Sequence, residues 1–83
     1  MVIRNEDVKE LLAEIPEGHK HMRITIVLQD GTEITFQEAT AANFVRAYIT
    51  VKTHPVQRKV RLSGCRLTER KEGYAEWQLL ESP

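Results

Sequence analysis

The chain has one cysteine, Cys65, so no internal disulfide can hold it together. It has one tryptophan, two tyrosines and two phenylalanines, too few for a row of stacking platforms. No apolar run approaches the roughly 20 residues that cross a bilayer as a helix. The segment from Met1 to Asp7 lacks the basic stretch and apolar run of a secretion signal, and a cytoplasmic location is the expectation. The formal net charge is zero. Disorder is not expected, because it needs a larger net charge and fewer apolar residues than the 41% present.

Motifs that carry chemistry are also missing. There is no glycine-rich phosphate cradle, no zinc-finger spacing and no nucleophile elbow around Cys65. Scattered carboxylates such as Asp30, Glu33 and Glu38 do not pair in a way that implies acid–base work. Enzyme activity, a cofactor and a resident metal are therefore not expected. His19 and His21 form a His-Lys-His segment, and His54 or Cys65 could complete a metal site with them. That spacing is no recognised ligand pattern, and three solvated histidines is the expectation.

What is present is patterned. The 83 residues fit a single domain, residues 1–83, that buries only about 60–65% of the surface its unfolded chain exposes. Asn5 reads as an N-cap, with Glu6 and Asp7 at the positive end of a helix. Val8, Leu11, Leu12 and Ile15 fall at i, i+3, i+4 and i+7, which predicts a short N-terminal helix over about 5–15, stopped by Pro16 and Gly18. Met22, Ile24, Ile26 and Leu28 alternate with polar neighbours and Val27, predicting a strand over about 22–29. Asp30-Gly31 predicts a type I′ hairpin turn into a second strand over about 32–37.

Residues 40–52 read as the main helix, with Thr40 at its N-cap and a narrow polar stripe of Asn43, Arg46, Thr50 and Thr53. The rest of its circumference is apolar, so it is expected to be largely buried. His54-Pro55 ends it. A third strand is expected over about 56–67, with a β-bulge where Gly64 interrupts the alternation, and a fourth over about 74–80. The fold class is α+β: a four-stranded antiparallel sheet of two hairpins (ββαββ), a short N-terminal helix, and one main helix packed on the sheet.

The charge is segregated. Residues 1–38 carry four cations and eight carboxylates, residues 46–71 carry eight cations and one carboxylate, and residues 72–83 carry three glutamates. Arg58, Lys59, Arg61, Arg66, Arg70 and Lys71 form a candidate basic interaction surface. The plainer account is a solvated sheet face whose cations pair with Glu76. Apolar faces outnumber what one small core can cover, and uncovered ones mark interfaces. The expected function is a small non-enzymatic protein-interaction module that docks a protein partner, itself or another, and no membrane. The alternative is a nucleic-acid-binding domain that uses the basic strand and hairpin.

Overall fold

The computed structural model describes residues 1–69 and 76–82. The elements run in the order η1 (Asn5–Asp7), β1 (Val8–Glu14), β2 (Arg23–Leu28), β3 (Glu33–Gln37), α1 (Glu38–Thr53), β4 (Leu62–Arg66) and β5 (Trp77–Glu81). The class is α+β with one main helix, but the strands form two sheets: a three-stranded β1-β2-β3 and a two-stranded β4-β5. The four-stranded ββαββ sheet is thereby corrected. Alternation specifies which face of a strand is apolar and leaves open which edges join. The chain forms two compact units, Met1–Ala41 and Ala42–Pro83, with the boundary inside α1.

In the first unit the N-terminal helix is corrected to a single 3₁₀ turn followed by a strand. Asn5 lies inside that turn. Arg4 precedes it, and the Asp7 carboxylate accepts the Arg4 backbone N–H at 2.9 Å. The register of β1 on β2 shifts between Val8 and Glu10: Val8 opposes Leu28, and Glu10 opposes Val27. This bulge at Lys9 brings Val8 onto the same face as Leu11 and Ala13. An i, i+3 spacing that reads as a helix thus becomes a strand with one apolar side. Pro16 and Gly18 do not stop a helix; they build the hairpin turn. The His19 N–H bonds the Pro16 carbonyl at 2.9 Å, and Gly18 takes φ 78° at the third turn position, as a type II turn requires.

Across the sheet, Leu11, Ile26 and Ile34 stand opposite one another, as do Ala13, Ile24 and Phe36. This is the apolar face. The other face carries Leu12, Thr25 and Thr35, with the two threonine hydroxyls 2.9 Å apart, and also Val27 between Glu10 and Glu33.

The β2–β3 hairpin forms where Asp30-Gly31 predicts it, but its loop has three residues. The Gly31 N–H closes a turn on the Leu28 carbonyl at 2.9 Å, and the Leu28 N–H bonds the Thr32 carbonyl at 2.8 Å. Only Gly31 takes a positive φ, 90°, whereas type I′ needs two such residues. This is a turn closed by a glycine bulge.

The Asp30 carboxylate accepts the Thr32 backbone N–H at 2.9 Å, and the hydrogen bonds from Thr32 hold its pKa below the ordinary 3.8. The folded pKa lies below the unfolded one. The hairpin's gain is therefore present above the unfolded value and lost as pH falls through the folded value. In an NMR titration, the Thr32 amide shift should turn over at a pH below that of a free aspartate. Asp30→Asn should remove that titration while keeping the hairpin. A Thr32 midpoint at or above 3.8 would show that the bond does not form.

In the second unit, β4 and β5 pair without a break: Leu62 with Glu81, Gly64 with Leu79, and Arg66 with Trp77. The expected bulge at Gly64 is absent. Among the described residues, a Cβ built there would meet only the Leu79 Cδ2 at 3.9 Å, an ordinary contact. β4 begins at Leu62, so residues 56–61 of the expected third strand lie outside the ladder. The last strand runs Trp77–Glu81; the expected residues Tyr74 and Ala75 lie outside the described residues. The main helix starts at Glu38, so Thr40 sits inside its first turn. Beyond Thr53, the His54 Nδ1 accepts the backbone N–H groups of Val56 (3.1 Å) and Gln57 (2.7 Å) and turns the chain. That geometry requires the tautomer with its proton on Nε2.

Candidate interaction surface

A helix with a half-apolar circumference normally turns that half inward. In the second unit α1 does the reverse. Its partly buried residues are Asn43, Ala47, Thr50 and Val51, a face that includes two members of the polar stripe. Thr50 satisfies its hydroxyl locally by donating to the Arg46 carbonyl at 2.8 Å, and Thr53 does the same to Ile49 at 2.7 Å. Arg46 reaches across and donates from Nη2 to the Leu79 carbonyl at 3.2 Å, tying the helix to β5. The residues expected to be buried face out instead: Phe44 is 51% exposed, Val45 57%, Tyr48 65% and Ile49 51%. They occupy i, i+1, i+4 and i+5, one continuous side of the helix. Trp77 (62%) and Val56 add further exposed apolar area in the same unit.

The first unit repeats the pattern on its sheet. β2 and β3 half-bury Ile24, Ile26, Leu28, Ile34 and Phe36, but Leu11 on β1 is 61% exposed, and Ile15 just beyond β1 is also exposed. Among the described residues, Ala41 alone is buried. Isolated exposed apolar residues are ordinary, but a contiguous apolar helix side and a contiguous apolar sheet side are not.

Four of the six candidate basic residues lie among the described residues. Arg58, Lys59 and Arg61 are exposed, but they lie on the irregular segment before β4 and not on a strand. Arg66 sits at the end of β4 and is held by Glu76 through Nε at 2.7 Å and through Nη2. Arg70 and Lys71 lie outside the described residues. His21 Nδ1 lies 2.8 Å from Glu38 Oε2. No group of three or more His, Cys, Asp or Glu that could hold a metal occurs among the described residues. The Cys65 thiol is half-buried and donates weakly to the Ser63 carbonyl at 3.6 Å.

A shallow cleft of about 160 Å³ opens in the second unit, lined by Arg46, Ala47, Thr50, Val60, Leu62, Leu80 and Glu81. Small-molecule sites usually enclose roughly 300–1,000 Å³, so this cleft falls short of one. No described helix is long and apolar enough to cross a membrane. No known protein family, curated protein or solved structure matches the chain.

The outward face of α1 is the feature that sequence reasoning placed wrongly. The signal was present as an excess of apolar faces, but periodicity alone cannot say which side of a nearly all-apolar helix meets its own strands. In the structure Arg46 lies on the side that reaches a strand carbonyl.

Proposed function

We propose that this chain is a non-enzymatic protein-interaction module that docks a protein through the outward face of α1. The observation that carries this reading is the exposure of Val45, Tyr48 and Ile49 on one side of the helix. Apolar side chains gain about 1.5–3 kcal/mol each on full burial from water, and at this exposure about half of that gain is left for a partner to supply. Aromatic residues are also enriched at the centres of interfaces. A second reading, contact with nucleic acid through Arg58, Lys59 and Arg61, has their exposure in its favour and the Arg66–Glu76 pair against it.

The test is thiol labelling of Tyr48→Cys in a Cys65→Ser background at high dilution. The new thiol should react at nearly the rate of a free cysteine, because the face is open when no partner is present. Protection by about a hundredfold or more at the highest dilution, equivalent to roughly 2.7 kcal/mol of closure, would mean that the chain covers this face itself. The interaction reading would then fall.

A further inference from the structure

We infer that His54 is a proton-operated latch on the strap, residues 55–61, that joins α1 to β4. The neutral ring holds the near end of the strap, and the protonated ring releases it.

The latch is built at the end of the helix. The His54 backbone N–H bonds the Thr50 carbonyl at 3.1 Å, which fixes the residue on the last turn of α1. Pro55 follows and has no N–H, so the first backbone donors beyond the helix belong to Val56 and Gln57. Both point at one atom, the His54 Nδ1, at 3.1 and 2.7 Å. Neither has another acceptor among the described residues. A ring-nitrogen lone pair accepts these bonds, and a proton on Nδ1 takes that lone pair away. The two donors then face a third N–H.

The surrounding charges act in the same direction. Arg58 and Lys59 follow the ring on the strap, and Lys52 precedes it on α1. On β5, Glu81 lines the cleft with Thr50. Among the described residues, no carboxylate lies within ion-pair distance of the ring. Repulsion by Arg58 and Lys59, and attraction by the carbonyl end of α1, both draw a charged ring off the strap. Lys52 shares that helix end and weakens the attraction, but it does not restore the lost acceptor.

The strap's other fastenings do not titrate with the ring. Gln57 Nε2 donates to the Lys59 carbonyl at 3.1 Å, and the Ser82 backbone N–H bonds the Arg61 carbonyl at 2.9 Å. Release is therefore local: β4 keeps its register while the near end comes free. That end carries the exposed cations Arg58 and Lys59, and it leads to Val60, which lines the cleft beside Arg46 and Ala47. Acid thus loosens one wall of the cleft and frees the basic segment together.

NMR of the unaltered chain reads the latch directly. Above the ring's titration, His54 should be the Nε2–H tautomer, with Nδ1 at the shift of an unprotonated nitrogen. The Val56 and Gln57 amides should exchange with solvent about tenfold or more slowly than in an unstructured chain at the same pH. That protection should vanish with the same midpoint as the His54 ring signals, while the β2–β3 ladder keeps its own. His54→Asn offers a side-chain carbonyl to the same N–H groups and has no titrating ring, so it should keep the protection throughout. His54→Ala should lose it at every pH. A neutral ring with its proton on Nδ1, amides that stay protected while the ring titrates, or an Asn variant that responds to pH as the unaltered chain does each overturns the latch. So does loss of protection by all amides together, which is global unfolding. If His54→Ala does not fold, the tautomer and the shared midpoint in the unaltered chain still decide.

Discussion

Ala41→Asp is expected to cost the fold about 3–5 kcal/mol, because it puts an ionised carboxylate where the side chain is shut off from water. Ala41 is 3% exposed and stands in the first turn of α1. An aspartate at that end of a helix is favoured by the peptide dipoles, but only by about 0.3–1 kcal/mol, so burial wins. A chain of 83 residues has a total stability of order 4–12 kcal/mol, so the substitution removes a large share of it. Ala39→Asp, on an exposed position of the same turn, should change stability by less than about 1 kcal/mol. Circular dichroism during urea titration reads both variants. Burial raises the carboxyl's pKa in the folded state, so the Ala41→Asp penalty should shrink as the pH falls toward that of a free aspartate. An equal loss at positions 39 and 41, or a penalty that ignores pH, would show that Ala41 is not sealed from solvent.

How far the sequence foretold this arrangement varied by element. Strands β2 and β3 were legible because strict alternation and Asp30-Gly31 agree, and local agreement of that kind defines a hairpin. The loop was read one residue too short: a single glycine with positive φ serves a three-residue turn as well as it serves type I′. β1 was hidden by the bulge at Lys9, since a bulged strand and a helix both place Val8 and Leu11 on one side. The extent of α1 was close, but its orientation was not legible. The orientation involves contacts far apart in sequence, such as that of Arg46 with the Leu79 carbonyl, between residues 33 apart. For the same reason the partner of Arg66 was not legible. Glu76 comes ten residues after Arg66, and antiparallel pairing of β4 with β5 brings them together.

The pleat of β2 makes the sharpest demand on neighbouring positions. The same substitution, to lysine, should give very different results at Ile26 and Val27. Ile26 stands between Leu11 and Ile34 on the apolar face, whereas Val27 stands between Glu10 and Glu33 on the other. Ile26→Lys forfeits much of an isoleucine's burial, about 1.5–3 kcal/mol, and crowds an ammonium among apolar neighbours. Snorkelling of the long stem recovers a part, leaving about 3 kcal/mol lost. Val27→Lys also gives up a half-buried side chain, but it gains two cross-strand opposite-charge pairs worth about 0.2–1 kcal/mol each. Its net effect should lie within about 1 kcal/mol of zero and become less favourable as salt screens the pairs. In a domain of this size, a 2–3 kcal/mol gap separates the two thermal midpoints by roughly 10–20 °C. Equal midpoints would mean that β2 sits one residue out of register, because a slip of one exchanges the faces.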